Sequence, residues 1–280
     1  MKIAVIGATG MVGSALTEEL LSRHHEVTAI SRHPPTARTG LTPRAADVMK
    51  LDELAGAIAG HDVVISAHAP GASIGPQVYK AVVEAGWRIK RAFTEVRGGY
   101  LITVGGASSL LAPGGTQMFE DPRWPSWYFN CATPEHLRYL RGITKAEMFE
   151  QLAQSRERIL ATPGMDPQSD WPEESARQFI RKIAENHDKG EGGRAQLEIF
   201  RNDTTIRWSF ASPPWFMRPG PRLGTYRTVV DTLPLEGGKP AGISVADMAL
   251  AVADEAESQK LVHRHWSAAR VLDGARVVDG

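Results

Sequence analysis

The chain has 280 residues, of which 42% are hydrophobic, so it can bury the core of one large α/β domain with or without a small lobe. Its 32 basic residues balance its 32 acidic ones, and no basic tract is interleaved with aromatic residues, which argues against nucleic acid as a partner. The single cysteine, Cys131, excludes an intramolecular disulfide and a cysteine-rich metal site.

The first residues carry the strongest signal. A β-branched run at residues 2–6 leads into Gly7, Gly10 and Gly13, and an apolar helical pattern and a second strand at Val27–Ile30 follow. In such a βαβ unit, Gly7 permits a tight turn and Gly10 lets the backbone approach a pyrophosphate. Gly13 lets the helix pack closely on the strand, and the N–H groups of the helix N-terminus would bind the phosphates. This pattern predicts a dinucleotide-binding site.

The end of the second strand indicates which dinucleotide is bound. It reads Ala29-Ile30-Ser31-Arg32-His33 and has no carboxylate for a ribose 2′-hydroxyl. A guanidinium suits a 2′-phosphate, so Ser31 and Arg32 predict NADP(H) in preference to NAD(H). After the third strand, Asp47 and Val48 would lie beside the adenine, or Asp47 would cap the next helix. The sequence leaves these two roles open.

Two further strands are predicted to end at the same edge of the sheet. The first, Asp62–Ser66, runs into Ala67, His68 and Pro70, and the second, Tyr100–Val104, runs into Gly105 and Ser108. Ligands of open α/β sheets bind at the carboxyl ends of the strands, so both loops are candidate binding segments. Helices are predicted between the strands, at residues 50–59 and from 76 to about 96.

The segment at residues 118–190 is rich in tryptophan, proline and charge. It contains helical patterns at about Thr144–Leu160 and Pro172–His187. A structureless loop of this length is improbable in a compact protein, so we interpret the segment as a helical subdomain. We therefore divide the chain into a Rossmann domain at residues 1–118 and 191–280 and a helical insertion at 119–190. The insertion is expected to act as a lid, a substrate pocket or a dimer contact.

The chain then returns to the sheet pattern. A short helix at 193–201 precedes a strand at Ile206–Ala211, whose following loop contains Pro213 and Trp215. A strand near 226–230, a helix at about 245–256 and an extended piece at 262–267 complete the chain. The predicted fold is α/β, a Rossmann-type doubly wound, mostly parallel sheet with an inserted helical subdomain.

Five motifs occur in an order that resembles a known family. They read G-A-T-G-M-V-G, S-R-H-P, V-I-S-A-H-A-P, V-G-G-A-S-S-L-x-A-P-G and S-F-A-S-P-x-W-F-x-x-P-G. This order is similar to that of the atypical short-chain dehydrogenases grouped as NAD(P)H-dependent flavin-reductase-like proteins, which are related to biliverdin-IXβ reductases and NmrA-like proteins. The resemblance covers residues 1–118 and about 192–268, and it does not extend to the insertion.

The resemblance and the loop positions together give the candidate cofactor-binding residues. The resemblance implies that the glycine loop and Arg32 hold the phosphates and that Ala67, His68 and Ser108 border the nicotinamide. The full predicted set is Gly7, Thr9, Gly10, Met11, Val12, Gly13, Ser31, Arg32, Asp47, Val48, Ala67, His68, Pro70, Gly105, Pro213 and Trp215.

Ordinary short-chain dehydrogenases protonate a carbonyl with a Tyr-x-x-x-Lys pair, which this sequence lacks. None of its tyrosines is followed four positions later by lysine: Tyr79, Tyr100, Tyr128, Tyr139 and Tyr226. A flavin, quinone or similar conjugated acceptor relaxes the need for such an acid. The catalytic candidates are Ser108, His68 and Tyr128. Each also has a structural alternative. Ser108 would stabilise its loop, His68 would be a hydrogen-bonded structural histidine, and Tyr128 would be a core aromatic residue.

We therefore expect an enzyme, an NADPH-dependent oxidoreductase that transfers hydride to a flavin, quinone or related small molecule. One alternative is a non-catalytic, NADP-binding regulator of the NmrA type. Another is a biosynthetic reductase whose insertion covers a bulky substrate and supplies an acid such as Tyr128, Tyr139 or Glu147.

The sequence also predicts the compartment of the protein, its partners and whether it binds a metal. No apolar run is long enough to cross a bilayer, and the N-terminal strand lacks the layout of a signal peptide. We expect a cytoplasmic protein with no membrane partner, and a homodimer contact through the apolar faces of the insertion helices. His263 and His265 alternate on the last strand without a third ligand, so no metal site is predicted.

Overall fold

The computed structural model describes residues 1–69, 76–166, 171–185 and 188–271. Pro70, one of the predicted cofactor-binding residues, and His187, the predicted end of an insertion helix, lie outside these ranges. In the first part of the chain strands and helices alternate in the order β1 (Lys2–Ile6), α1 (Met11–Ser22), β2 (Glu26–Ser31), β3 (Leu41–Ala45), α2 (Leu51–Ile58), β4 (Val63–Ser66), α3 (Pro76–Glu95) and β5 (Tyr100–Val104).

The second part of the chain begins with helices and returns to strands. Short 3-10 turns at Ala107–Ser109 and Met118–Glu120 precede α4 (Ser126–Asn130), α5 (Pro134–Thr144), α6 (Met148–Ala161), α7 (Glu174–Glu185) and α8 (Asp188–Glu198). The remaining elements are β6 (Trp208–Ala211), β7 (Phe216–Arg218), β8 (Tyr226–Val230), β9 (Leu235–Glu236), β10 (Lys239–Pro240), β11 (Gly242–Ser244), α9 (Val245–Ser258) and β12 (Arg264–Arg270).

Eight strands form one sheet in the spatial order β3-β2-β1-β4-β5-β6-β12-β8. Neighbouring strands are parallel except β8, which runs antiparallel to β12. In the register of the sheet Ile3 lies between Val27 on β2 and Val63 on β4, so the strand order reverses on either side of β1. Such a reversal opens a crevice at the carboxyl ends of the strands. The predicted Rossmann-type sheet is confirmed.

Helices cover both faces of the sheet and bury its side chains. On one face α1 and α9 pack through Leu16 and Met248 against Ile3 and Val5 of β1. On the other face α2, α3 and α8 enclose Ile6 and its neighbours on the adjoining strands. Because both faces are covered, residues Ile3–Ile6 are all buried, which explains the continuous apolar run of the first strand.

The helices of residues 119–185 form an apolar cluster of their own. Phe129, Leu137, Leu152 and Trp171 are buried in it, and the loop after β6 adds Trp215 at its margin. A further group around Leu110 and Tyr128 joins this cluster to the loop that follows β5.

In this segment the structure corrects one predicted helix and contains another, α5, that was not predicted. A single helix was expected at about Thr144–Leu160, whereas α5 ends at Thr144 and α6 begins at Met148. Lys145 adopts a left-handed conformation with φ of 61°, which ends α5. The sequence analysis missed α5 although Thr133 accepts a hydrogen bond from the N–H of His136 as its N-cap and Pro134 follows.

Helix α8 also differs from the prediction, since it spans Asp188–Glu198 instead of starting at residue 193. Its first half contains Gly190, Gly192 and Gly193, which disfavour helix in isolation. A Cβ on Gly192 would lie 3.1 Å from Cβ of Val82 on α3, so the glycines allow the two helices to approach closely. Tertiary packing therefore outweighs the low helix propensity of this segment.

Within the described ranges, no helix is both long and apolar enough to cross a membrane.

The contact between α1 and β1 predicts opposite effects for two glycine substitutions. A Cβ on Gly13 would lie 2.1 Å from the carbonyl oxygen of Gly7, whereas a Cβ on Gly56 of α2 would meet no atom within 4 Å. We expect G13A to lower the free energy of unfolding by at least about 2 kcal/mol through this overlap. We expect G56A to raise it by about 0.5–1 kcal/mol because alanine favours helix. Urea denaturation of both variants measures the difference, and equal effects would contradict the close contact.

Candidate dinucleotide-binding site

A cavity of about 710 Å³ opens at the carboxyl ends of β1, β2, β4 and β5. Its walls come from the glycine loop, from the segments that follow these strands and from one residue of β7. The lining residues are Ile6, Gly7, Thr9, Gly10, Met11, Val12, Ile30, Ser31, Arg32, His33, Ala46, Asp47, Val48, Met49, Ala67, His68, Ala69, Ala81, Val104, Gly105 and Met217. The cavity thus lies where the reversal of strand order opens the sheet.

The floor of the cavity is the tight turn between β1 and α1. Gly7 has φ of +79°, a left-handed conformation that favours glycine, and its N–H donates to Ile30 O at 2.8 Å. Gly10 is the N-cap of α1 and offers no side-chain acceptor, and the first turn of α1 contains no acidic residue. The N–H groups of this turn are therefore suited to bind an anion from the cavity. Gly13 is buried below the turn and supports α1 without lining the cavity.

One end of the cavity lies beside the segments that follow β2 and β3. Ser31 and Arg32, which end or follow β2, and Asp47 and Val48, which follow β3, line this end. The hydroxyl of Ser31 is buried and has no hydrogen-bond partner among the described residues, so a ligand hydroxyl or phosphate would satisfy it.

Of the two roles left open for Asp47, the structure excludes that of helix cap. The residue at the N-cap position of α2 is Lys50. Oδ1 of Asp47 instead accepts a hydrogen bond from the N–H of Met49 at 2.9 Å, within the turn before the helix. Asp47 therefore belongs to the cavity wall.

The opposite end of the cavity is formed by Ala67, His68, Gly105 and Met217. Burial lowers the pKa of His68, and the positive charge of Arg32 lowers it further. His68 is therefore a neutral imidazole at neutral pH, which can donate one hydrogen bond and accept another. Met217 carries no sequence signal, because it reaches the cavity only through the position of β7.

Ser108 lies close to this end but does not line the cavity. The residue is buried, and its hydroxyl donates to Gly190 O of α8 at 2.8 Å. A Cβ on Gly193 would lie 3.3 Å from Oγ of Ser108, so α8 covers this side chain closely. The observed contacts correspond to the structural alternative for Ser108, that of a loop hydroxyl.

Tyr128 and Trp215 lie in an aromatic cluster instead of on the cavity wall. The ring of Trp124 is centred 5.2 Å from Tyr128 and 5.4 Å from Trp215. Tyr128 is fully buried and its hydroxyl lies 3.4 Å from Oδ2 of Asp121, so it is out of reach of a ligand in the cavity. Pro213 is also buried and, like these residues, is not among those that line the cavity. The positions of Tyr128, Trp215 and Pro213 therefore differ from the predicted ones.

A buried polar network holds the turn that carries Ser108. Nε2 of His265 lies 3.0 Å from Oγ of Ser212 and 3.2 Å from Oγ of Ser109, and the two hydroxyls are 2.6 Å apart. Nδ1 of His265 lies 3.1 Å from the carboxylate of Asp231. Ser109, Ser212 and His265 are each at most 4% exposed, so the network is enclosed and does not form a nucleophilic site open to substrate.

Comparisons with known proteins agree with this geometry. Residues 7–90 match the model of a family described as NAD(P)H-binding. The protein YwnB of Bacillus subtilis is 26% identical over 92% of this chain and 92% of its own length. The solved structure of a "putative epimerase" from Bacteroides thetaiotaomicron is 26% identical, covers 98% of this chain and 99% of its own, and has a TM-score of 0.69. A "putative NADH-flavin reductase" from Streptococcus pneumoniae is 22% identical over 97% of this chain and 100% of its own, with a TM-score of 0.63.

The sheet order and the cavity at its carboxyl edge define a Rossmann-type fold, and the family match assigns an NAD(P)H-binding segment to residues 7–90. The solved structures share this fold over nearly the whole chain. A nicotinamide dinucleotide is therefore the cofactor class of this site.

The network around His265 predicts that stability depends on pH. Burial lowers the pKa of His265 to about 4 against the opposing effect of Asp231, whereas an unfolded histidine titrates near 6.5. The unfolded chain binds more protons between these values, so the free energy of unfolding falls as the pH decreases through this window. His136, whose pKa burial also lowers to about 4, adds a second proton.

We expect each histidine to contribute about 1 kcal/mol per pH unit below pH 6. Urea denaturation between pH 7.5 and 5 measures this slope in the unaltered protein and in H265Q. The variant should retain the contribution of His136 and lose that of His265. Parallel stability profiles for the two proteins would contradict this assignment.

Proposed function

We propose that the protein is an NADPH-dependent oxidoreductase that transfers hydride to a flavin, a quinone or a related conjugated small molecule. The observation that carries the proposal is the cavity itself. It joins the first turn of α1, which is suited to phosphates, to Arg32 at one end and to Gly105 at the other. The order of these groups along the sheet edge suits a dinucleotide with a phosphate on its adenosine ribose.

The preference for NADPH rests on the end of β2. Arg32 lines the cavity with an exposed guanidinium, and Ser31 adds a buried hydroxyl that has no partner within the described residues. A guanidinium binds a phosphate through two parallel charged hydrogen bonds, which a ribose hydroxyl cannot match. Asp47 stands on the far side of this end, and its carboxylate is engaged with the N–H of Met49.

The residues around the cavity support a reaction in which the protein mainly binds and orients. When bound, the reduced nicotinamide supplies a hydride. The hydroxyls of Ser108 and Tyr128 are directed to Gly190 and Asp121, so neither is positioned to protonate an acceptor in the cavity. His68 is neutral and borders the nicotinamide end, where its N–H can hold a carbonyl or ring nitrogen. An acceptor that spreads charge over a conjugated ring is suited to such a site.

The similarity to the Streptococcus pneumoniae structure described as a "putative NADH-flavin reductase" supports a flavin acceptor. The lack of a Tyr-x-x-x-Lys pair in the sequence supports the same class, because ketone reduction needs a positioned acid. The enclosed hydroxyls of Ser108 and Tyr128 also favour a second candidate, a regulator that binds the dinucleotide without turnover.

The role of Arg32 predicts a selective loss of affinity. In R32Q we expect NADPH to bind about 10-fold to 100-fold more weakly, because charged hydrogen bonds to the 2′-phosphate are lost, and NADH to bind as before. R38Q is the matched control, since Arg38 is exposed and pairs with Glu18 outside the cavity lining. Isothermal titration with both dinucleotides measures the effect. An equal loss for NADPH and NADH would contradict a 2′-phosphate contact.

The proposed reaction is tested by stopped-flow absorbance of NADPH with separate acceptors. We expect oxidation above background with free flavins or quinones and none with simple ketones, because neither a tyrosine nor a lysine is among the described residues that line the cavity. Tight NADPH binding without turnover on any conjugated acceptor would favour the regulator instead. Efficient reduction of a ketone would show that an acid outside these residues takes part.

A further inference from the structure

Helix α5 of the insertion is packed against the wall of the dinucleotide cavity. The hydroxyl of Tyr139 donates to Sδ of Met11 at 2.7 Å, and Met11 is the first residue of α1. On the same helix, the ring of His136 is centred 4.9 Å from Phe216 of β7. Nη1 of Arg218, at the end of β7, lies 3.2 Å from Oγ1 of Thr133, the N-cap of α5. One contact thus joins α5 to the first turn of α1, and two join it to β7.

The Tyr139 hydroxyl donates to a weak hydrogen-bond acceptor. A thioether sulfur is a weak acceptor, whereas a phosphate oxygen is charged and accepts strongly. Met11 is 44% exposed and sits on the cavity wall, so its side chain is free to move aside from the hydroxyl. Burial raises the pKa of Tyr139, which keeps the phenol protonated as a donor.

The contacts of α5 also indicate which half of a dinucleotide would be near. Arg32 follows β2, which would hold the adenosine half, whereas Gly105 follows β5 and Met217 follows β6, on the other side of β1 in the sheet. Tyr139 is not among the residues that line the cavity, but its hydroxyl contacts Met11, which is, on the side where α5 packs on β7. The nearest charged acceptor in this region would be the phosphate on the nicotinamide side of the pyrophosphate.

We propose that Tyr139, from the helical insertion, is a further cofactor-binding residue whose hydroxyl exchanges Met11 for the nicotinamide-side phosphate of the bound dinucleotide. The proposal rests on the dinucleotide site of the proposed function. It gives the insertion a direct part in binding the cofactor, in addition to the glycine loop.

The test compares two ligands by isothermal titration. NADP⁺ carries both phosphates of the pyrophosphate, whereas adenosine 2′,5′-bisphosphate carries the adenosine-side phosphate and lacks the nicotinamide-side one. In Y139F we expect NADP⁺ to bind about tenfold more weakly and adenosine 2′,5′-bisphosphate to bind as in the unaltered protein. NAD⁺ and 5′-AMP give the same comparison if the protein prefers the dinucleotide without the 2′-phosphate.

Y226F is the matched control because it removes a hydrogen-bonded phenol far from the cavity. The hydroxyl of Tyr226 donates to Asp254 at 2.6 Å, so this variant should lose thermal stability and retain both affinities. A selective loss of NADP⁺ in Y139F alone would support the proposal. Unchanged NADP⁺ binding in Y139F, or an equal loss of both ligands, would overturn it. Failure of the unaltered protein to bind any of these ligands would instead overturn the proposed function together with this inference.

Discussion

The close contact between β1 and the first turn of α1 is the constraint on which the rest of the structure depends. The carbonyl of Gly7 occupies the space that a side chain at position 13 would need, so α1 can start directly above the strand. This approach directs the first N–H groups of α1 toward the cavity and brings Met11 onto its wall. α9 packs beside α1, and the two helices together bury the core on this face of the sheet.

The second organising feature is the way in which the insertion joins the sheet. Its aromatic cluster encloses Tyr128, Trp124 and Trp215, so the loop after β6 is held by the insertion instead of by the sheet alone. The buried hydroxyls of Ser109 and Ser212 anchor the loop after β5 through His265. The loop after β5 and the loop after β6 are therefore both supported by residues from distant parts of the chain. Such support keeps a binding site rigid without adding reactive groups to it.

The site could be predicted from sequence where its residues follow a local pattern. Gly7, Gly10, Arg32 and His68 stand directly after buried strands, and the edge of a parallel sheet brings such positions together. Ser108 follows a strand as well, but α8 packs over it, and the glycines that permit this packing lowered the predicted helical content of the segment. Tyr128 has the composition of a pocket residue, yet the neighbouring rings enclose it completely.

The sequence by itself determined the sheet, the turn and the class of cofactor, because the apolar strands and the glycine spacing act over a few residues. It also excluded the usual tyrosine and lysine pair, which is a matter of spacing alone. Only the tertiary structure decided that Met11 and Met217 line one cavity and that Tyr139 contacts Met11. These contacts join residues more than a hundred positions apart, and they depend on how α5 packs against β7, which no local pattern encodes.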